Sequence, residues 1–294
     1  MIALSLLLTL QATQPAPRLI TVDQLAARLG DPGVVLLHVG DDRSRPLYDQ
    51  GHIAGAQFFQ PLRELAAPPA EANGLRLELP GPVQLDSVLE SHGVSDDSWV
   101  VLIPAAEYFT PTARAALTLE YAGLAGRVSV LDGGLEAWKA AGRPVTTDVR
   151  VPTTGRLTVT IHPELVVRAD YLARNLDNAA VRIIDARDST FYHGAETSQG
   201  RNGHLPGATN IPFRSIVTAE GRFQDSATLQ RLFQAAGATP GSRVVTYCHI
   251  GQQASLVWFA AKLAGYDAAL YDGSFQDWAR RVDLPLVGPT AAKP

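Results

Sequence analysis

The chain has a single cysteine, Cys248, which opens the stretch Cys-His-Ile-Gly-Gln-Gln at positions 248 to 253. A thiol becomes a strong nucleophile only as its thiolate, and a thiolate needs neighbours that stabilise negative charge. Arg243 to Tyr247 read as a short buried strand, and the run from Gln252 reads as a helix stopped by Gly265. Cys248 is therefore expected at the C-terminal end of a strand, in a tight turn that enters a helix N-terminus. Unpaired N–H groups and partial positive charge collect there. Gly251 allows the backbone angles that let such a turn curl its N–H groups inward. On this reading the thiol pKa is expected well below the usual value of about 8.5. The competing reading is packing, because free cysteine is among the most buried residue types.

The elements that must carry this turn occur twice. Ile20 to Asp41 align without a gap to Val167 to Asp188, and Gly51 to Ala56 (GHIAGA) match Gly203 to Ala208 (GHLPGA). Gly93 to Pro104 match Gly237 to Cys248, and Leu131 to Trp138 match Tyr271 to Trp278. Four blocks in one order mean duplication. In the second copy a short amphipathic helix near Ala169 to Leu176 precedes the strand Val181 to Asp185. A helix over Ser226 to Ala236 precedes the cysteine strand, and a last strand ends at Tyr271. Strands separated by helices predict an α/β fold: two tandem domains, each a mainly parallel sheet with helices on both faces. The expected division is 17–145 for the first domain, 146–160 for a Pro- and Gly-containing linker, and 161–290 for the second. Pro104 stands at the cysteine position of the first copy, so the fold does not require a thiol there. Cys248 is better explained by chemistry than by packing.

The duplicated unit, Asp185 to Asp188 (DARD), Gly203 to Phe213 (GHLPGATNIPF), the Cys248 turn and Tyr271 to Trp278 (YDGSFQDW) together resemble the two-domain rhodanese sulfurtransferases. That family includes thiosulfate and 3-mercaptopyruvate sulfurtransferases. The resemblance covers nearly the whole chain after Pro17. It implies that Cys248 takes a sulfane sulfur from a small anionic donor, forms a persulfide, and passes the sulfur to a thiophilic acceptor such as a thiol or cyanide. No metal or organic cofactor is implied. Arg187 matches the family's substrate-binding arginine. The span between the DARD and GH blocks is five residues longer in the second copy. Arg201, at the end of that insertion within Phe191 to Asn202, matches a carboxylate-binding arginine of the mercaptopyruvate type.

Within the turn, the N–H groups of His249, Ile250, Gly251, Gln252 and Gln253 are expected to hold the outer persulfide sulfur. His249 is expected to add partial positive charge near neutral pH, and Gln252 and Gln253 can donate hydrogen bonds to the donor anion. The turn lacks the basic residues usual in thiosulfate enzymes, and Ile250 stands where a mercaptopyruvate enzyme has its serine. Thiosulfate is the expected donor, with 3-mercaptopyruvate as the alternative. A persulfide carrier or redox-sensing module without turnover is the alternative from another class. A cysteine phosphatase is disfavoured, because it needs arginine six positions after the cysteine and Ala254 stands there. In the first copy, His38 and Gly40 replace Asp185 and Arg187, so that copy is expected to be inactive. His52 and His204, and Trp138 and Trp278, recur in both copies and are expected to serve architecture.

Composition sets the outer limits. With 46% hydrophobic and 18% charged residues the chain can build a core, and a formal net charge of −4 argues against phosphate-driven nucleic-acid binding. One cysteine excludes an intramolecular disulfide and multi-cysteine zinc or iron–sulfur sites. The apolar run Ile2 to Leu10 is too short to span a bilayer but suits a signal-peptide core over residues 1–16. The expectation is a monomer exported to the periplasm, or a cytoplasmic one if that segment is not a signal.

Overall fold

The computed structural model describes residues 16–69, 71, 73–107 and 109–289. The candidate signal segment, apart from Ala16, lies outside the described residues. Among the described residues, ten strands form two five-stranded parallel sheets. The first holds β1 (Leu19–Ile20), β2 (Val34–Val39), β3 (Gln57–Phe59), β4 (Trp99–Pro104) and β5 (Val128–Leu131) in the order β1-β5-β4-β2-β3. The second holds β6 (Val166–Val167), β7 (Val181–Asp185), β8 (Thr209–Asn210), β9 (Arg243–Tyr247) and β10 (Asp267–Tyr271) in the matching order β6-β10-β9-β7-β8. The repeat thus extends to register: β4 and β9 are both central, and β9 aligns Tyr247 with Asp185 of β7.

The central strands read as unbroken apolar runs because helices cover both faces of a parallel sheet. Helix Phe109–Leu119, after β4, packs on its counterpart Gln252–Leu263, after β9. The inner faces of the two halves therefore merge into one core that includes Leu117, Leu119, Leu256 and Phe259. Each outer face has its own cluster, built on Trp138 in the first half and Trp278 in the second. Burying each such side chain contributes roughly 1.5–3 kcal/mol, so the shared core couples the stability of the halves.

The segment expected to be a spacer is fastened down. Gly155 N–H donates to Glu90 O at 2.8 Å, Asp96 N–H to Arg156 O at 3.0 Å, and Thr160 N–H to Ala122 O at 3.1 Å. Leu157 is buried in the common core. Gly155 passes so close to the Val94 carbonyl that any side chain would collide with it.

The recurring GH and Trp motifs have the same contacts in both copies. His52 and His204 each stack on a tyrosine, Tyr48 and Tyr192, at 3.9 and 3.8 Å. Their Nδ1 atoms lie within hydrogen-bond distance of the same tyrosines' carbonyls. Trp138 and Trp278 donate to the carbonyls of Pro144 and Pro285.

Candidate active site

Cys248 follows β9, the central strand of the second sheet, so ligands reach it at the carboxyl edge where parallel α/β sheets bind them. The turn after it is held from beneath by residues 274–276. Cys248 N–H donates to Ser274 Oγ at 3.2 Å, Phe275 N–H to Cys248 O at 2.9 Å, and Gln276 N–H to His249 O at 3.1 Å. Ser274 Oγ also donates to Tyr271 O at 2.9 Å. Ser274 makes these bonds from a left-handed backbone, with φ of 51°. Gly251, with φ of 87°, caps helix Gln252–Leu263. Its N–H and those of Ile250, Gln253 and Ala254 face Sγ.

These N–H groups favour the thiolate, but Cys248 is fully buried, and burial pushes its pKa above the usual thiol value against their pull. The depressed pKa expected from the helix N-terminus is therefore not found. A desolvated sulfur loses more hydration than four N–H dipoles return. His249 is corrected likewise. Burial, and then the charge of Arg187, lower its pKa to about 4, so the ring is neutral near pH 7. Its Nδ1 lies 2.6 Å from Ser198 Oγ, and its ring meets Phe191 edge-on at 4.6 Å.

Arg187 lies on the neighbouring strand edge, completely buried. Burial works against its charge, but Asp185 holds its pKa above the usual guanidinium value. Nε and Nη2 grip the Asp185 carboxylate at 2.6–3.1 Å, and Nη2 also donates to Gly203 O at 2.8 Å. Tyr247 Oη donates to the same carboxylate at 2.6 Å. Only Nη1 of Arg187 remains buried without a partner. The expected free cation is thus one half of a neutralised pair with a single donor to spare. Neither Arg187 nor Arg201 lines the cavity that contains Cys248. The Arg201 guanidinium points to the carbonyls of Arg281 and Leu284, both at 3.3 Å. The insertion reaches the site instead through Ser198 and Phe191, which fix His249.

The cavity over the thiol holds about 170 Å³ and is lined by Cys248, His249, Ile250, Gln252, Gln253, Thr110 and Phe213. Gly251 is absent from this wall; its face turns to the seam between the halves, where a β-carbon would lie 3.2 Å from Arg114 Nη1. Thr110 comes from the first half and accepts a hydrogen bond from Gln252 Nε2 at 3.0 Å. A larger cavity of about 690 Å³ shares Thr110 and Phe213 and continues past Pro104 and Phe109. The degenerate turn of the first half therefore forms the approach to the thiol of the second.

The seam carries polar bolts as well. Arg114, buried in helix Phe109–Leu119, meets Asp272 Oδ1 at 2.6 Å and donates to Leu77 O. Asp272 Oδ2 accepts Leu79 N–H at 2.7 Å. Gln276 clasps the Arg76 backbone through both amide atoms, at 3.0 and 2.8 Å. The turn that supports Cys248 is thus anchored to the first half.

In the first half the equivalent positions are closed. A side chain at Gly40, in the place of Arg187, would collide with Ser44 Oγ, and one at Gly134, in the place of Ser274, with the Pro104 carbonyl. His38 sits buried in the place of Asp185, its pKa lowered to about 4 by burial.

The sequence model of the rhodanese-like domain matches residues 21–141 and 168–281. The chain belongs to the rhodanese-like family. It is similar to a thiosulfate sulfurtransferase of Azotobacter vinelandii, 30% identical over 92% of this chain and 97% of the relative. It is also similar to a probable 3-mercaptopyruvate sulfurtransferase of Pseudomonas aeruginosa, 34% identical over 89% of this chain and 94% of the relative. Among solved structures, the 3-mercaptopyruvate sulfurtransferase SseA from Escherichia coli superposes with a TM-score of 0.76 at 26% identity. That match covers 88% of this chain and 99% of the other.

Sequence reasoning about this rhodanese passed over Thr110, Phe213, Ser274 and the Arg114–Asp272 pair. The repeat alignment pairs Ser274 with Gly134, and that contrast was a usable signal. Thr110 and Arg114 reach the site only through packing of the halves, which no local pattern encodes.

Proposed function

We propose that this rhodanese transfers the sulfane sulfur of thiosulfate through a Cys248 persulfide to a thiol or cyanide. The observation that carries the reading is a lone cysteine at the central strand end, ringed by backbone N–H groups, in a chain whose similarity to a thiosulfate sulfurtransferase spans nearly its full length. Cys248 first loses its proton to solvent. Its thiolate then bonds to the sulfane sulfur while that atom's bond to the sulfonate sulfur breaks, and sulfite leaves with the electron pair. The N–H groups of Ile250, Gly251, Gln253 and Ala254 stabilise the negative sulfur in both thiolate and persulfide. The acceptor next bonds to the outer sulfur, and Cys248 departs as thiolate, closing a ping-pong cycle. The amides of Gln252 and Gln253, which line the cavity, are the side-chain groups offered to the anion, and the buried Arg187 acts on it through its charge. The 690 Å³ approach gives room for an acceptor much larger than cyanide.

A second reading, 3-mercaptopyruvate as donor with pyruvate as product, is favoured by the 34% identity to the Pseudomonas relative. Measuring kcat/KM for both donors side by side decides between them; a higher value for 3-mercaptopyruvate overturns the thiosulfate assignment. Cys248→Ser is expected to remove transfer with the fold intact, and activity above a trace would reject the persulfide mechanism. Repeated turnover with cyanide separates an enzyme from a carrier. The proposal extends to a monomer exported on the strength of the Ile2 to Leu10 run; cell fractionation, the mass of the mature N-terminus and sedimentation test these points.

A further inference from the structure

On the far side of the 272–276 turn lies a cavity of about 440 Å³ that shares no lining residue with the one over Cys248. Its walls come from both halves, and most of its charges are already committed. Asp277 accepts from Tyr271 Oη at 2.8 Å and pairs with Arg281 at 3.1 Å. Arg280 donates to Gly74 O at 2.8 Å, and Asp272 is held by Arg114 and Leu79. Three charged groups in the wall make no hydrogen bond or ion pair among the described residues: Glu71, which is exposed, Glu78 and Arg168. Oε1 of Glu78 is buried without a hydrogen-bond partner. A cavity lined by a half-buried carboxyl and a guanidinium that are not paired with one another is complementary to a molecule with one charge of each sign.

We propose that this cavity binds a small zwitterion of the α-amino-acid class, its ammonium group on Glu78 and its carboxylate on Arg168. Arg168 suits a carboxylate because the guanidinium fork matches its two oxygens. No group of residues among those described is arranged to hold a metal ion. Burial, then the charge of Asp272, raise the Glu78 pKa to about 8; Arg114 and Arg168 act the other way, and Asp277 adds to the rise. Glu78 is thus protonated near pH 7, and an arriving ammonium must displace that proton to solvent. Binding therefore releases up to one proton per site. The occupant also touches Asp272, the residue that ties the catalytic turn to the first half.

The test is titration calorimetry on the full chain with Cys248 alkylated, which removes the sulfur site from the measurement. The probes are L-serine and L-methionine; N-acetyl-L-methionine and L-methioninamide each lack one of the two charges. The expected results are binding of the amino acids and much weaker binding of both controls. Enthalpies should differ between phosphate and Tris at pH 7 by the amount that proton release requires. Glu78→Gln and Arg168→Met should each lose about tenfold or more in affinity, the usual worth of a charge-assisted hydrogen bond. Absence of heat at millimolar concentrations of both amino acids overturns the proposal, as does equal binding of the singly charged controls. If Glu78→Gln fails to fold, Arg168→Met, at an exposed residue, and the proton count still decide. Because the alkylated protein carries no persulfide, the result is independent of the sulfur-transfer assignment.

Discussion

Replacing Arg114 with methionine isolates the contribution of the first half to the catalytic turn. The Arg114 and Asp272 side chains are 2% and 8% exposed, with Nη1 and Oδ1 2.6 Å apart. Methionine leaves the Asp272 carboxylate buried with Leu79 N–H as its remaining partner. Orphaning one member of a buried ion pair costs about 3–5 kcal/mol. At ~2 °C per kcal/mol for a large chain, the melting temperature should fall by about 6–10 °C. Asp272→Asn in the same molecule removes the stranded charge and keeps an acceptor for Leu79. The double variant is therefore expected to be more stable than Arg114→Met alone. Sulfur transfer should fall further than the lost stability explains, because the guanidinium and Asp272 together bound the space beside Gly251. Denaturant unfolding of the four proteins of the cycle, with thiosulfate–cyanide turnover on each, supplies both readouts. If the two substitutions add to within about 0.5 kcal/mol, they are uncoupled and the seam argument fails. Full turnover in Arg114→Met would equally refute it.

Alkylation of Cys248 should go on rising with pH beyond the ordinary thiol range of about 8.5 before it levels off, because the folded-state pKa is raised and the thiolate forms later than in a free thiol; a rate already level at pH 7 would contradict this. Donor kcat/KM should rise over the same interval. Ser274→Gly relieves a left-handed backbone worth roughly 1–2 kcal/mol and loses two hydrogen bonds worth about 1 kcal/mol each, so stability should change little. Its kcat should nevertheless drop, as the Cys248 peptide loses its anchor, and an unchanged kcat would remove Ser274 from the positioning network.

The fold was legible because duplication made every element readable twice. The strand after Ala180, the helix beginning at Ser226 and the strand–Cys248–Gly251–helix sequence all stand where periodicity and stop signals put them. The identity of the nucleophile was legible for the same reason, with Pro104 as its internal control. The electrostatics were not. His249 and Cys248 were judged from their places along the chain, but their pKa values follow from burial, which depends on what folds over them. Arg187 illustrates the same limit: its partner stands two residues away in the sequence, yet the closed fork that consumes its charge is a matter of side-chain geometry. Arg201 shares an insertion with Ser198, and only the backbone path decides which of the two turns inward.

The collisions at Gly40 and Gly134 make the asymmetry of the two halves a one-way step. Writing cysteine back at Pro104 would restore a thiol without its surroundings. The serine that anchors the cysteine peptide cannot be rebuilt at Gly134 while the Pro104 carbonyl stays where it is, and Ser44 fills the space an arginine at Gly40 would need. Several backbone changes would have to occur together before any of them gained activity. Meanwhile Thr110, Phe109 and Arg114 have taken on work for the other half. The first domain is better described as an entrenched component of the second domain's catalytic centre than as a spare copy awaiting repair.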